Sequence, residues 1–365
     1  MRRRMILALI LALLLAVPAG AADVLEEEAA ILGTGTLAED LPAEAEAALD
    51  GLSPVSQPDF GQAAGRILRR AAESLGDWLR RAGKTVAALL LVCILCAMAG
   101  SCGEKYTGAA VRMAGCLGIA GICTSELYGM IALAEQTLDA LGNFFALLLP
   151  VLASALTAAG GTGSGSALYA GASLLISILT SLIRSVLVPC VYCYLFLATA
   201  QYAAGDDRLE RLRTFVGWGI SIALKAAAGL FTGYLALTGL LTGTADEMAL
   251  STAKSVISSA VPVVGSMLSE ASQAVLTSAG ILKNAAGAFG MLAALAIGLG
   301  PFLQITVQYL ALRAAAAAAG AAAQREHAKL LECAASAMGY MLAMTGTAVL
   351  MVLVSAAIFI KAVNG

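Results

Sequence analysis

Lys225 interrupts the apolar run GISIALKAAAGLF. A charge at the centre of a membrane helix costs roughly 2.5–3.5 kcal/mol on insertion scales. A lysine so placed serves a cavity or an ion partner, or else its long stem snorkels to the interface. Arg184 falls where two apolar runs meet, and reads as an interface anchor at the turn between them. Gln304 and Gln308 stand one turn apart after Pro301, a spacing suited to hydrogen-bonding a neighbouring helix.

Groupings able to carry catalysis are sparse. Cys93 with Cys96, and Cys190 with Cys193, form two CxxC pairs. A zinc or redox site wants polar access and further ligands. Both pairs fall inside apolar runs, where three-residue spacing puts each pair on one helix face as small apolar filling. The single histidine, His327 in QREHAKLLE, stands beside Glu326 and Lys329 and reads as a solvated side chain. No HExxH, GxSxG or GxxxxGK[ST] occurs. GGTGSGS at 160–166 lacks the lysine that a phosphate cradle uses, so flexible connection or close helix approach accounts for it. No catalytic residue, cofactor or metal is expected.

The elements that hold these residues are set by composition. Of the 365 residues, 60% are hydrophobic and 13% charged, too little charge for the surface of a soluble chain of this length. Apolar runs of roughly 20 residues, each able to cross a ~30 Å hydrocarbon layer as a helix, recur instead. The expected fold is all-α: a polytopic transmembrane bundle of about eight spans after a signal peptide, with amphipathic interfacial helices. The net charge of −2 hides an acidic stretch followed by a basic one. No basic patch is interleaved with aromatics, so nucleic acid is not an expected partner.

Residues 1–21 have a basic start, an apolar stretch and Ala19-Gly20-Ala21 as a small-x-small cleavage site, the pattern of a signal peptide. Residues 22–58 are acidic and rich in breakers, and read as a poorly ordered extracytoplasmic segment. Over 59–84, Asp59 can cap a helix with Gln62 as reciprocal partner. Phe60, Ile67, Leu68, Leu75, Trp78 and Leu79 form one face of this helix. Arg66, Arg69, Arg70, Glu73, Asp77 and Arg80 form the other. A basic amphipathic helix with Trp at its edge either lies flat on lipid or packs on the protein's own bundle.

The membrane domain occupies 85–365, with spans expected near 85–101, 108–125, 141–159, 167–183, 186–204, 214–242, 286–312 and 336–360. From an external start, Lys105 and Arg112 come out cytoplasmic, as do Arg208, Arg211, Arg213, Arg313, Arg325 and Lys329. This agrees with the positive-inside bias. Glu126, Glu135 and Asp139 fall in an external loop, and GGTGSGS comes out as the one non-basic cytoplasmic turn. The Arg-rich helix at 66–84 lies external against the bias. One helix over 167–204 in place of two would reverse everything after it.

Residues 243–285 depart from membrane-like composition and form a helical, extracytoplasmic insert. After Pro262 and Gly265, apolar residues recur at three-four spacing, with Glu270 among the polar residues opposite. This surface is too polar to span and too apolar to float free, and suits a contact with a partner.

The segment VPVVGSMLSEASQAVLTSAGILKNAAGAFG, followed by the Pro301 helix, resembles the stage III sporulation protein AE family. Further resembling blocks are LYGMIALAEQTLDALGNFFALLLPVLASAL, GGTGSGSALYAGA and YAAGDDRLERLRTFVGWGISIALKAAAGLFTGYLALTG. The most specific elements are PVVG, with Pro262 and Gly265, and ILKNAAG, with Lys283, Asn284 and Gly287. The resemblance covers about 85–365 and includes the leading signal peptide. It implies a non-enzymatic, multi-pass component of a secretion-like channel complex of endospore formation. The membrane would be the mother-cell membrane around the engulfed forespore, the outer of the two. It further implies as partners a cytoplasmic ATPase and ring-forming proteins of the same operon, a forespore-side protein, and membrane lipids.

Two other classes compete. A stand-alone secondary transporter would show paired broken helices near the midplane and an internal repeat. Pro189, Pro301 and Lys225 offer pieces of that, but no repeat is evident. An intramembrane enzyme would need a ligand or nucleophile set that the chain does not display.

Overall fold

The computed structural model describes the backbone of residues 37, 41–49, 60–101, 105–158, 164–205, 208–260, 265–322 and 325–361. Side chains are described over most of these, but not at 44, 101, 105–107 and 322 nor over 155–170, 235–284 and 356–361. The expected signal peptide, most of the acidic segment, and Pro262 lie outside the described residues. Every described element is a helix, as the composition requires.

Short α1 (Ala43–Ala48) is followed by α2 (Phe60–Ser101), α3 (Lys105–Ala158) and α4 (Ser164–Leu182). A π-helical turn over Ile183–Leu187 leads into α5 (Val188–Ala204). Then come α6 (Arg208–Ala260), α7 (Gly265–Ala322) and α8 (Arg325–Lys361). Among the described residues, six helical stretches are long and apolar enough to cross a membrane. They are 60–100, 108–154, 171–204, 208–234, 285–321 and 325–355.

The count differs from the eight expected spans, for local reasons. Glu126, Glu135 and Asp139 do not open a loop; α3 continues through them as one helix. Glu126 is satisfied by neighbouring helices and Asp139 by Arg184, so their charge does not have to leave the helix. The turn expected between Arg184 and Pro189 is likewise absent. Proline lacks an N–H and its ring crowds the carbonyl four residues back, which ends or kinks an ordinary helix. The wider π turn at Ile183–Leu187, just before Pro189, carries the chain past that conflict without breaking it.

These two mergers cancel. Each removes one crossing, so the helices still alternate in direction and the basic turns still share one end. At that end stand the α2–α3 turn, the α5–α6 turn and the α7–α8 turn, with Arg112, Arg208, Arg211, Arg325 and Lys329 on or near them. The end of α3 at Ala158 and the start of α4 at Ser164 lie at the opposite end, and residues 160–163 of the expected GGTGSGS turn lie outside the described residues. Of the segment expected as a separate interfacial helix, residues 60–84 are continuous with the first span in the 42-residue α2, and Asp59 lies outside the described residues. Ala63 and Ile67 are buried in the bundle, which is the packed alternative.

α7 and α8 set the frame. Gly298 packs against Val349, Gly346 against Phe302, Gly339 against Tyr309, and Gly320 against Ala328. Steps forward on α7 are matched to within one residue by steps back on α8, an antiparallel seam in one register. A methyl added at Gly298 would stand 2.5 Å from a Val349 methyl, so the small residue is what lets the backbones close. The other helices register in the same way: Thr85 meets Glu126, and Cys96 faces Gly115, which makes α2 and α3 antiparallel.

This seam also fixes depth. Between Glu332 and Lys361 α8 has no charged residue. A hydrocarbon layer needs about 20 residues of helix, so any placement in that stretch contains roughly 341–352. Through the Phe302–Gly346 and Gly298–Val349 contacts, Pro301 and its neighbours on α7 lie at the same depth.

Two apolar clusters fill the bundle. One joins Leu89, Ile119, Val191, Ile305 and Met338 toward the basic end. The other joins Ile67, Phe144, Phe145, Phe289 and Leu292 toward the opposite end, and includes Leu37, Leu41 and Leu49. Burial of large side chains such as Phe144 and Phe289 stabilises each cluster by roughly 1.5–3 kcal/mol per residue relative to water.

Candidate functional site

Polar side chains gather where α2, α3 and α7 meet. Thr85 Oγ1 donates to Glu126 Oε1 at 2.9 Å, and Gln308 Nε2 donates to Glu126 Oε2 at 3.2 Å. Glu126 thus has one neutral donor on each oxygen, from two different helices. A cavity of about 310 Å³ opens beside the carboxylate, lined by Trp78, Arg81, Lys84, Thr85, Glu126, Met130, Gln304 and Gln308. Neither Arg81 nor Lys84 makes an ion pair among the described residues. A second cavity of about 250 Å³ shares Trp78 and Gln304 and continues along the α2–α7 seam past Arg70, Ser74 and Pro301. Helix α7 runs unbroken through Pro301, so this proline is not a helix break. Its missing N–H leaves the Ile297 carbonyl without its usual helical donor.

Lys225 lies beside another cavity, of about 420 Å³, built by α6, α7 and α8. Ser221, Tyr309, Arg313, Ser336 and Tyr340 line it with Lys225. The cavity expected of this lysine is present, and its companion is a second cation. Arg313 is itself held, since its Nε donates to the Tyr309 hydroxyl at 3.3 Å and its guanidinium lies 5.6 Å from the centre of that ring. Among the described residues, no carboxylate lines this cavity. Glu126 stands beyond α7 from Lys225, and each is roughly 25–30 Å along its helix from the basic end at 1.5 Å per residue.

Below this level, Arg213 joins three helices. Its Nε donates to Gln201 Oε1 at 3.1 Å, and its Nη1 lies 3.1 Å from the Tyr194 hydroxyl and 3.0 Å from Cys333 Sγ. Tyr194 meets Tyr340 edge-to-face with centroids 5.5 Å apart. The planar fork of arginine can serve all three acceptors at once, which a lysine cannot.

The remaining expected residues are placed as follows. Arg184 is on the π turn, ion-paired to Asp139 and donating to the Glu135 carbonyl at 3.2 Å, so it bridges to α3 in place of anchoring a turn. Gly265 begins α7, and Glu270, Lys283 and Asn284 follow within that helix, their side chains outside the described residues. Gly287 is buried at the head of the second apolar cluster. Of the residues expected from the sequence, Gln304 and Gln308 line the Glu126 cavity, and Gln308 is bonded to a neighbouring helix as its spacing suggested. Pro301 lines the second cavity and Lys225 the cationic one.

His327 overturns its expectation. It is wholly buried, not solvated. Because α7 ends at Ala322 and α8 starts at Arg325, the first turn of α8 is pressed onto α3. His327 Nε2 lies 3.4 Å from the Arg112 carbonyl oxygen, and a methyl at Gly115 would collide with its ring and with Cys96. Glu126, Thr85, Arg213 and Arg313 were not legible as site residues. The signal that marks Glu126 is a charge between apolar runs on one continuous helix.

Residues 55–363 match the family described as Stage III sporulation protein AE. The Stage III sporulation protein AE of Bacillus subtilis (strain 168) is 22% identical over 187 residues. That alignment covers 50% of this chain and 46% of the relative, so the chain spans about half the length of the curated relative it matches. No solved structure matches. With the family match extending over most of the chain, and a multi-pass helical bundle beneath it, the protein belongs to the stage III sporulation protein AE family.

Proposed function

We propose that this chain is a non-enzymatic integral component of the channel complex that joins mother cell to forespore during endospore formation. The family match over 55–363 carries the reading. The bundle supports the membrane part of this reading, with six membrane-length helices and polar cavities between them. Its basic end faces the mother-cell cytoplasm, following the positive-inside bias. The opposite end, with the acidic segment and the 243–285 insert, faces the space between the two membranes. The partners on this reading are the ATPase and ring-forming proteins of the same operon and a forespore-side protein. The membrane is the outer one around the forespore.

Deletion of the gene, scored for heat-resistant spores and for forespore gene expression after engulfment, tests the reading. Arrest after engulfment is expected, and unimpaired spore formation would overturn it. A stand-alone permease is the second reading, favoured by the polar cavities between the helices, one of them lined by Pro301. Solute uptake by the purified protein alone in liposomes would favour that reading, whereas co-purification with the other complex proteins supports the channel component.

A further inference from the structure

Helix α2 has three faces. Ala63, Ile67, Ala82 and Leu89 are buried against the bundle. Leu68, Leu75 and Leu79 are exposed and apolar. The third face carries Arg66, Arg69, Glu73, Asp77, Arg80 and Lys84, all exposed. At about 100° per residue these six fall within an arc of about 80°, with the leucines on the far side of the helix.

That charged face lies at hydrocarbon depth. Ser74 and Trp78 share a cavity with Leu299, Pro301 and Gln304. Those α7 residues stand level with the middle of the uncharged stretch of α8, through the Phe302–Gly346 contact. No placement of the membrane along α8 leaves that level outside the hydrocarbon layer. Asp77 and Arg80, on the same turns of α2 as Ser74 and Trp78, therefore lie within it, with Glu73 at its edge.

Lipid cannot cover such a face. Each charge would carry the insertion cost that applies to Lys225. None of Arg69, Glu73, Asp77 and Arg80 makes an ion pair among the described residues to offset it. Water must reach them, yet a single chain leaves the stripe open on its outer side. We infer that the charged stripe of α2 lines a water-filled passage through the membrane, closed by the α2 helices of further copies of this chain. The inference rests on the channel-component reading and specifies which helix faces the passage. The leucine face then continues the lipid surface around the ring. Having both signs on one stripe lets the acidic step at Glu73 and Asp77 of one copy face the basic step at Arg69 or Arg80 of the next.

The test uses the full chain, freed of its native cysteines, in membranes of cells that make the complex. Single cysteines replace Arg69, Glu73, Asp77 or Arg80, with Leu75→Cys and Leu79→Cys as controls; total thiol after detergent confirms each is present. A membrane-impermeant maleimide is expected to modify the charged-face positions at least tenfold faster than the controls. Oxidative cross-linking at position 73 or 77 is expected to give a species of twice the chain's mass. Equal rates at both sets would overturn the aqueous face, and an adduct containing a different protein would overturn closure by copies. Spore formation after gene deletion is scored separately. An intact labelling pattern with normal sporulation sinks only the functional reading, and an absent pattern with sporulation arrest sinks only this inference.

Discussion

Gln308 on α7 donates to the Glu126 carboxylate on α3 across 182 residues of sequence, and Thr85 on α2 holds the other oxygen. Three helices thus meet on one half-buried side chain. Removing an acceptor while its donors stay costs more than removing both partners, because the orphaned donors keep their desolvation penalty. Glu126→Ala is expected to lose about 1–3 kcal/mol of stability, read as a lowered unfolding midpoint in detergent. Glu126→Gln keeps one acceptor oxygen and should lose less. Adding Thr85→Val to Glu126→Ala should cost less than the separate effects combined, since one orphan is removed. Full additivity would show that the bond does not couple the helices.

The α7–α8 seam offers a contrast between two glycines of one helix. A methyl at Gly298 meets Val349 at 2.5 Å, whereas Gly300 has open space around it. Alanine is the better helix former by roughly 0.5–1 kcal/mol, so Gly300→Ala should be neutral or slightly stabilising. Gly298→Ala should be destabilising despite the same propensity gain, by about 1–3 kcal/mol for an overpacked contact. Thermal unfolding of the two variants in one detergent decides it; equal midpoints would mean that the seam does not depend on the close approach.

The Arg213 fork makes a prediction about shape as distinct from charge. Arg213→Lys keeps the cation but cannot reach Tyr194, Gln201 and Cys333 together. A loss of about 1.5–3 kcal/mol is expected, the range for hydrogen bonds to charged groups. If Arg213→Lys unfolds with the wild-type midpoint, the fork contributes nothing beyond its charge.

The class of fold, the membrane setting and the basic end were all legible because they follow from composition and charge, which no packing detail can reverse. Span boundaries were not. Glu126, Glu135, Asp139 and Arg184 look like loop residues when a helix is taken alone. In the bundle, a carboxylate at 126 finds Thr85 and Gln308, and Arg184 finds Asp139, so the helices run through. His327 failed for the same reason in reverse. Its charged neighbours imply solvent, but the short α7–α8 turn puts its ring against Gly115. Lys225 was legible as a charge out of place, while its companion Arg313 becomes visible only once α6 and α7 lie side by side.

That companion sharpens what Lys225 should do. Two cations on one cavity without a carboxylate point to a demand for positive charge there, beyond packing of a long stem. On the proposed function, Lys225→Ala is expected to lower heat-resistant spore counts at least tenfold, and Lys225→Arg to retain most of them. Protein levels in the membrane control for loss of folding. Wild-type counts from both variants would leave snorkelling as the only role of this lysine.

Orientation is the step on which the placement of partners depends. The cancelling mergers keep Lys329 at the basic end and Glu270 on the helix that leads in from the other end. On a cysteine-free background, Glu270→Cys should react with an impermeant thiol reagent applied from outside the cell. Lys329→Cys should react only after the membrane is opened. The reverse pattern would turn the bundle over. The 243–285 surface would then face the mother-cell cytoplasm, and its partner would have to be the ATPase instead of proteins of the intermembrane space. Labelling of both positions from outside would break the alternation itself, and with it the six-span reading.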